Sequence, residues 1–329
     1  MKIAFFNTKQ YDQEFFDRAN QNGAHQINYF SSHLNVESTS LISDEKVVCA
    51  FINDNLNSQV LQKLKDKGIK LIALRSAGFN HVDITCAKQL SLPVVRVPAY
   101  SPYAVAEHAV GLLLCLNRGI HRAHNRIREG DFSLRNLMGF DLHGKTVGVV
   151  GTGKIGQAFA NIMLGFGSNV IAYDVVQNEQ CISSGVTYVT LDKLLSHADV
   201  ISLHCPLMPE TYHLIDQKAL EKMRDGVTII NTSRGKLVDT KAIINRLKNG
   251  KVGLLGLDVY EEEEALFFED FSEKGIQDDV LARLTTFPNV IITSHQGFFT
   301  QEAMLNIAQT TLSNICQFEH DGSIQNGVF

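Results

Sequence analysis

The sequence lacks the features that mark several large classes of protein. Its 30 Lys and Arg residues are dispersed and its net charge is −5, so we expect no basic face for nucleic acid. Its six cysteines are widely separated and form no C-x-x-C pair. This spacing argues against both a zinc site and a disulfide framework, and it fits a reducing, cytoplasmic setting.

Long apolar runs are also missing. The longest apolar segment, residues 109–116, is much shorter than the roughly 20 residues that a membrane-spanning helix requires. The N-terminal apolar run, residues 3–6, is far shorter than the apolar region of a signal peptide. We therefore expect neither a signal peptide nor a membrane partner.

The length and composition predict two α/β domains. With 329 residues and 44% hydrophobic content, the chain can bury two cores at roughly 150 residues per domain. Up to about residue 99, short β-rich runs alternate with helical segments, as a parallel sheet requires. One such helix is bracketed by Ser58 as a predicted N-cap and by Gly68 just past its end. The predicted strands of this part are residues 3–6, 27–30, 47–52, 69–74 and 94–97.

A composition break at residues 98–102 (PAYSP) marks the first predicted boundary. Ser101 and Pro102 supply an N-cap and a first-turn proline for a long helix that ends near Asn117. This helix is apolar around most of its circumference, which is typical of either a deeply buried helix or half of a subunit interface.

The segment from Lys145 to Asp174 has the pattern of a dinucleotide cradle. An apolar run, residues 147–150, is followed by Gly151, Gly153 and Gly156 and then by a helix-like segment. Such glycines allow the tight turn, the approach of the backbone to a pyrophosphate, and close helix–strand packing. The free N–H groups at the helix start would then face the phosphates.

Asp174 ends the second strand of this pattern, about 20 residues past the turn. A carboxylate there can accept hydrogen bonds from both ribose hydroxyls, and it would repel a 2′-phosphate. The predicted cofactor is therefore NAD rather than NADP.

The strand and helix alternation continues after the cradle and fills a nucleotide-binding sheet. A last predicted helix, residues 300–319, begins beyond that sheet and could pack on the first domain. The further predicted strands are residues 186–189, 200–203, 227–230, 254–257 and 290–293.

Open parallel sheets bind ligands at the carboxyl ends of their strands, so polar residues that follow apolar runs are the candidates. Arg234 offers a bidentate fork for a carboxylate, and a histidine can give or take a proton near neutral pH. The residues alone do not choose between His204 and His295. The acidic run of residues 261–264 is by default a solvated charge run. The candidate strand ends are Arg75 to Gly78, His204 to Pro206, Thr232 to Arg234, Asp258 and His295.

Several separated motifs resemble the D-isomer-specific 2-hydroxyacid dehydrogenase family over essentially the whole chain. They are GTGKIG, HCPLMPETYHLI, INTSRGKLVD, LDVYEEE and SHQGFFT, in that order. The flanking stretches LRSAGFNHVD, RVPAYSPYAVAEHAVGL, LFFED and QDDVLARL are similar to those of fermentative bacterial D-lactate dehydrogenases within that family.

The resemblance implies a catalytic set. Arg234 in TSRG matches the arginine that binds the substrate carboxylate, His295 matches the acid/base, and Glu263 matches the catalytic carboxylate. Glu263 beside His295 would favour the charged imidazolium, which holds a proton ready for a 2-oxo acid. Glu261, Glu262 and Glu264 keep the interpretation of solvated charges.

The resemblance also implies the cofactor and substrate contacts and the domain arrangement. A Rossmann NAD domain, residues 100–298, is inserted into a flavodoxin-like substrate domain, residues 1–99 and 299–329; both are doubly wound parallel-sheet domains. The implied substrate contacts are Ala77, Gly78, Tyr100, Arg234 and His295. The implied NAD contacts are Gly151, Gly153, Lys154, Ile155, Gly156, Asp174, Cys205, Pro206, Thr211, Thr232, Ser233 and Asp258.

Two departures from the family pattern lie beside catalytic positions. The usual Glu-Pro is Glu263-Glu264 here, and the usual His-x-Ala is His295-Gln296-Gly297. Both leave the chemistry in place and bear on loop geometry and substrate preference.

The expected activity is NADH-dependent reduction of pyruvate to D-lactate by a cytoplasmic homo-oligomer, a dimer or a tetramer. One alternative is a dehydrogenase for a bulkier D-2-hydroxy acid, with Tyr100, Phe298 and Phe299 shaping the pocket. Another is a binding module that uses NADH as a signal, and the retention of all three catalytic residues argues against it. No metal is expected.

Overall fold

Parallel strands form both sheets of this α/β chain. The computed structural model describes residues 1–263, 266–268 and 270–329. The chain divides into two units, one made of Met1–Ser101 and Phe298–Phe329 and the other of Pro102–Gly297. The two-domain α/β architecture expected from the sequence is confirmed.

The first unit contains a sheet in the order β2-β1-β3-β4-β5. This order is the flavodoxin-like arrangement of a doubly wound sheet. Successive strands are first added on one side of β1 and then on its other side, and all of them are parallel. Its strands are β1 (Lys2–Phe5), β2 (Gln26–Tyr29), β3 (Val47–Ala50), β4 (Leu71–Leu74) and β5 (Val94–Val95). Its helices are α1 (Gln10–Ala19), a 3-10 turn (Ser38–Leu41), α2 (Ser58–Asp66), α3 (Ile84–Gln89) and, at the end of the chain, α12 (Gln301–Asp321).

The core of this unit is built on the two central strands β3 and β4, which are buried at every position. Helices that cover both faces explain why these strands are continuous apolar runs rather than alternating ones. The last helix, α12, packs against α1 and β4. The carboxyl-terminal segment therefore completes the first unit.

One predicted helix cap was wrong. The N-cap of α2 is Asn57, whose side chain accepts a hydrogen bond from the backbone N–H of Val60, and Ser58 is the first residue of the helix. Asparagine caps a helix at least as well as serine does, so the adjacent residue took the role. Gly68, just beyond the helix end, has a φ of +78°, as the predicted terminator requires.

The second unit contains a sheet in the order β12-β11-β10-β9-β6-β7-β8. Counted from its own first strand, β6, this is the Rossmann order 3-2-1-4-5-6 with one further strand at the edge. Its strands are β6 (Thr146–Val150), β7 (Asn169–Tyr173), β8 (Thr187–Tyr188), β9 (Val200–Leu203), β10 (Val227–Asn231), β11 (Val252–Leu257) and β12 (Val290–Ile292). Its helices are α4 (Pro102–Asn117), α5 (Ile120–Arg128), α6 (Lys154–Gly165), α7 (Glu179–Ser183), α8 (Leu191–His197), α9 (Gln217–Lys222), a 3-10 turn (Gly235–Leu237), α10 (Thr240–Lys248) and α11 (Asp279–Thr285).

The long apolar helix α4 begins at Pro102 and ends at Asn117, as predicted. It packs against α6, β10 and β11, and most of its apolar residues are buried within this unit. This packing explains its apolar circumference without a partner chain. The helix that follows, α5, has no buried residue. Within the described part of the chain, no helix is long and apolar enough to cross a membrane.

The glycine turn after β6 is shaped by close backbone approaches. Gly151 has a φ of +92°, and a Cβ there would lie 2.6 Å from the backbone nitrogen of Cys205. A Cβ on Gly156 would lie 1.9 Å from the carbonyl oxygen of Gly151. A Cβ on Gly153 would meet nothing within 4 Å, so this side of the turn is open. The three glycines therefore serve turn, packing and access separately.

We expect Gly156→Ala to destabilise the second unit, because its new methyl group overlaps the backbone of the turn. The expected cost is about 3 kcal/mol in the free energy of unfolding. Gly165→Ala, at the other end of α6, is the matched control, because a Cβ there meets nothing within 4 Å. Thermal unfolding measures both variants, and equal melting temperatures for Gly156→Ala and wild type would contradict this packing argument.

Candidate active site

Three neighbouring strands, β10, β11 and β12, bring the expected catalytic residues to one edge of the second sheet. Asn231 at the end of β10 is in register with Leu257 of β11, which is in register with Ile292 of β12. Arg234 follows the first of these strands and His295 the last. The carboxyl ends of parallel strands share an edge, and ligands bind there in doubly wound folds.

His295 and Glu263 form a hydrogen-bonded pair at this edge. The Nδ1 atom of His295 lies 2.8 Å from Oε1 of Glu263, and both side chains are 17% exposed. The other carboxylate oxygen, Oε2, accepts a hydrogen bond from the backbone N–H of Tyr260 at 2.8 Å. Because the carboxylate only accepts, Nδ1 carries a proton and Nε2 is the ring nitrogen available for chemistry.

His295 has a left-handed backbone, with a φ of +53°, which is uncommon for a residue that is not glycine. Its backbone N–H donates to the carbonyl oxygen of Asp258 at 2.8 Å. The Asp258 side chain accepts hydrogen bonds from the backbone N–H groups of Gln296, at 2.9 Å, and Gly297, at 2.8 Å. Asp258 therefore fixes the loop that carries His295 in its strained conformation.

The Asp258 carboxylate is 1% exposed as a residue and is held from a second side as well. Its Oδ1 accepts a hydrogen bond from the Thr293 hydroxyl at 2.6 Å and lies 3.2 Å from Nε2 of His108 in α4. Burial by itself raises the pKa of the Asp258 carboxyl, but the hydrogen bonds from His108 and Thr293 outweigh burial and lower the pKa below its ordinary value.

Arg234 is positioned by the backbone around it. The Asn231 side chain donates to the carbonyl oxygen of Arg234 at 2.8 Å and accepts from the backbone N–H of Ser233 at 3.0 Å. The next residue, Gly235, lies so close to the loop after β11 that a Cβ there would come 2.1 Å from the carbonyl carbon of Tyr260. The Arg234 loop thus rests on the loop that carries Glu263.

Glu261 is not a solvated charge, and that prediction was wrong. Its Oε1 lies 2.7 Å from Nε2 of His213, and its Oε2 accepts a hydrogen bond from the backbone N–H of Thr240, in the first turn of α10, at 2.8 Å. A helix N-terminus stabilises a carboxylate at this place. Glu262 is exposed, as expected, and Glu264 lies outside the described residues.

Two other candidates are structural. His204 is partly buried, with its Nδ1 atom shielded from solvent; its Nε2 lies 2.9 Å from the Ser202 hydroxyl, and burial lowers the pKa of the ring to about 3. A histidine that stays neutral in the interior cannot cycle a proton with a substrate. Arg75 is 3% exposed and lies between the rings of Phe5 and Phe51, with its Nε 3.4 Å from Asp12. The structure therefore favours His295 over His204 for acid/base chemistry. It also favours Arg234 over Arg75 as the guanidinium group that can bind a substrate carboxylate.

The expected cofactor edge of the second unit fits a dinucleotide. Lys154 and Ile155 begin α6 directly after the open glycine, Gly153, so the N–H groups of the first turn lack intrahelical acceptors. The Asp174 side chain follows β7 and accepts hydrogen bonds from the backbone and side chain of Thr152. The turn and the carboxylate thus lie together, as the sequence predicts.

The other residues expected around NAD differ in how they are used. The Thr232 hydroxyl is buried without a hydrogen-bond partner in the described part of the chain, which is compatible with a ligand contact. Ser233 donates its hydroxyl to the Cys205 carbonyl at 2.6 Å, and burial raises the pKa of the Cys205 thiol to about 11. The Thr211 hydroxyl donates to the Pro206 carbonyl at 2.7 Å, so it closes its own loop.

The three remaining expected substrate residues lie in the first unit. Ala77 and Gly78 follow β4, where the Ser76 hydroxyl donates to the Gly78 carbonyl at 2.8 Å and Arg96 donates to the Ala77 carbonyl at 2.7 Å. These bonds occupy the carbonyl groups and shape the loop. The Tyr100 ring lies 6.3 Å from that of Phe298.

Sequence reasoning missed His108, which contacts both Asp258 and Thr293 from the interior of α4. A polar residue in an otherwise apolar helix was the available signal, but its partners come from strands more than 140 residues away. Within the described ranges, no group of three or more His, Cys, Asp or Glu residues could hold a metal ion.

We expect Asp258→Asn to destabilise the protein by about 1–3 kcal/mol at pH 7, since an amide NH₂ would face at least one N–H donor of the 296–297 backbone. A carboxyl with a lowered pKa in the folded state contributes stability that is present above its unfolded pKa of about 4 and is lost as the pH falls through the lower folded value. The difference in melting temperature between variant and wild type should therefore narrow below about pH 4. A difference that stays constant with pH would contradict the assigned charge.

Comparisons with known proteins agree with this geometry. A model of the family described as D-isomer specific 2-hydroxyacid dehydrogenase, NAD binding domain, matches residues 110–297. The D-lactate dehydrogenase of Escherichia coli (strain K12) is 50% identical over 326 residues, covering 99% of each chain. The apo-structure of D-lactate dehydrogenase from Escherichia coli has a TM-score of 0.92 at 46% identity and covers 100% of both chains. The structure of the pyruvate reductase of Chlamydomonas reinhardtii has a TM-score of 0.94 at 40% identity, covering 99% of this chain and 98% of that one.

These matches extend over both units, and the family model covers the part of the chain with the glycine turn and the His295–Glu263 pair. The chain belongs to the D-isomer specific 2-hydroxyacid dehydrogenase family, and it is an NAD-dependent oxidoreductase that acts on a small-molecule substrate.

Proposed function

We propose that this protein reduces pyruvate to D-lactate with NADH. The observation that carries the proposal is the His295–Glu263 pair at 2.8 Å, on the same sheet edge as Arg234. A fork for a carboxylate and an acid for a carbonyl oxygen are the two groups that reduction of a 2-oxo acid requires of a protein. The relatives named for D-lactate and pyruvate support this choice of substrate.

In the proposed reaction Arg234 binds the substrate carboxylate. His295 donates the proton on Nε2 to the carbonyl oxygen, and Glu263 holds Nδ1 and stabilises the imidazolium before the transfer. NADH supplies the hydride when it is bound. The cofactor is held at the glycine turn by Lys154, Ile155 and Asp174. The rest of the cofactor site is lined by Thr232, Cys205 and Pro206.

Two of the aromatic residues that could shape the substrate pocket lie together in the first unit. Phe298 is 8% exposed, and its ring lies 5.9 Å from that of Phe51 and 6.3 Å from that of Tyr100. Because the relatives above are named for D-lactate and pyruvate, we rank pyruvate above phenylpyruvate and other bulky 2-oxo acids.

The first test is activity. The purified protein should consume NADH with pyruvate, yield D-lactate, and prefer pyruvate to hydroxypyruvate and phenylpyruvate in kcat/KM. His295→Gln should lower kcat by about 100-fold to 10,000-fold, because it removes the acid, while NADH still binds. His204→Gln serves as a comparison histidine variant, and its kcat should fall far less.

Three results would overturn the proposal: no NADH consumption, formation of L-lactate, or full activity in His295→Gln. Nucleotide binding without turnover in wild type would instead favour the NADH-sensing alternative. A higher kcat/KM for phenylpyruvate would favour a dehydrogenase of bulkier D-2-hydroxy acids.

We further propose a cytoplasmic homo-oligomer, a dimer or a tetramer. All six cysteines, each within the described ranges, are free, which suits a reducing compartment. The α5 surface, formed by α5 and residues 129–138, exposes apolar side chains from 54% to 98% of their area. An exposed apolar patch of this kind marks an interface, and a second copy of the chain could cover it symmetrically. Its apolar residues are Ile120, Ile127, Phe132, Leu134 and Met138.

The double variant Leu134→Asp, Met138→Glu should shift the protein to a smaller species in sedimentation velocity, since it places charges in the proposed contact. Ile276→Glu, at an exposed apolar residue outside the α5 surface, is the control and should leave the assembly unchanged. A wild-type protein that sediments as a monomer would refute the proposed assembly.

A further inference from the structure

A chain of hydroxyl groups leads to Asp174 in the second unit. The Tyr188 hydroxyl, at the end of the edge strand β8, donates to Oγ1 of Thr152 at 2.7 Å. The Thr152 hydroxyl donates to Oδ2 of Asp174 at 3.1 Å. Thr152 lies between the first two glycines of the turn and is 2% exposed. The chain therefore joins the sheet edge, the glycine turn and the carboxylate that follows β7.

These hydrogen bonds share one direction. The backbone N–H of Asn178 donates to the Tyr188 oxygen at 2.8 Å, and the Tyr188 hydroxyl donates onward to Oγ1 of Thr152. Thr152 thus accepts from Tyr188 and must use its own proton toward Asp174, because an ionised carboxylate can only accept. Aligned hydrogen bonds of this kind polarise and strengthen one another.

Asn178 fixes the start of this chain. Its side-chain amide donates to the Thr152 carbonyl at 3.0 Å, and its side-chain oxygen accepts from the backbone N–H groups at the start of α7. The Tyr188 hydroxyl is therefore held by Asn178, the N-cap residue of α7, which is itself hydrogen-bonded to the glycine turn. Neither sequence motif nor family model assigns a role to Tyr188.

The two oxygens of Asp174 are used unequally as a result. Oδ2 accepts from both the backbone N–H of Thr152, at 2.6 Å, and the Thr152 hydroxyl. Among the described residues, Oδ1 receives only a long contact, 3.4 Å, from the backbone N–H of Val176. One oxygen is saturated within the protein and the other remains for a ligand hydroxyl.

We propose that Tyr188 and Thr152 are positioning residues that set the preference for NADH over NADPH by locking the Asp174 carboxylate toward the ribose. A 2′-phosphate would require Asp174 to rotate away, and rotation breaks both bonds from Thr152. Discrimination then rests on the rigidity of the carboxylate as well as on its charge. This inference rests on the proposed function, in which Asp174 holds the cofactor, with the cofactor's ribose as the group that the carboxylate binds.

The test is direct binding of NADH and NADPH to the full-length protein, measured by calorimetry. Tyr188→Phe should raise the Kd for NADH roughly threefold to tenfold, the effect of losing one hydrogen bond, and should narrow the NADPH/NADH ratio of Kd values by a similar factor. In turnover, the KM for NADH should rise while kcat is unchanged. Thr152→Val should have at least the same effect, and Thr152→Ser, which keeps the hydroxyl, should restore binding.

The matched control is Tyr173→Phe, which removes a phenolic hydroxyl one residue before Asp174 that is not part of the chain from Tyr188 to Thr152. Tyr173→Phe should bind NADH as wild type does. In an Asp174→Ala background, Tyr188→Phe should change NADH binding no further, because its effect passes through the carboxylate.

The outcomes separate the two assignments. If Tyr188→Phe binds both cofactors as wild type does, or if its effect persists in Asp174→Ala, the positioning role is overturned. If Asp174→Ala itself binds NADH as tightly as wild type, the ribose assignment of the proposed function fails instead. Should Tyr188→Phe fold poorly, the Thr152→Val and Thr152→Ser pair decides the question by the same criteria.

Discussion

A buried carboxylate that accepts hydrogen bonds from several directions organises the catalytic edge of the second sheet. Asp258 follows β11, the strand between those that lead to Arg234 and His295. It binds the backbone of residues 296–297 and the side chains of Thr293 and His108. A buried charge is tolerated only when its hydrogen bonds are satisfied, so the loops around it are held to one arrangement. The left-handed backbone of His295 depends on that arrangement.

The cofactor site depends on the same kind of hydrogen bonding around a second carboxylate, that of Asp174. Asp174 is also held on one side by the protein, through Thr152, while its other oxygen is left for a ligand. At both sites a carboxylate is held by backbone N–H groups and hydroxyls from segments that follow other strands of the sheet. Side chains that are already fixed before a ligand binds lose less conformational entropy on binding. Enzymes commonly hold their binding groups in this way.

Much of the fold follows from local pattern. The apolar runs, the glycine turn and the start of α4 at Pro102 are all found close to their predicted bounds, because period, turn chemistry and proline act within a few residues. The predictions were wrong where two adjacent residues could both cap a helix, and where the hydrogen-bond partners of a residue lie far away in the sequence. Asn57 displaced Ser58 as the cap of α2 within one residue. Glu261 looked like part of a charge run until His213 and the start of α10 were brought against it.

The sequence by itself determined the fold class, the glycine turn, the acidic residue at position 174 and the order of the motifs, because each is written in short-range spacing. Only the tertiary structure decided which histidine has its pKa lowered by burial and which meets a carboxylate. It also showed that Glu261 accepts a hydrogen bond from the first residue of α10, while Glu263, two residues later, faces His295. These outcomes depend on burial and on contacts between residues tens to hundreds of positions apart. Local sequence patterns do not predict such contacts, because the contacts form only when the folded sheet brings the ends of its strands together.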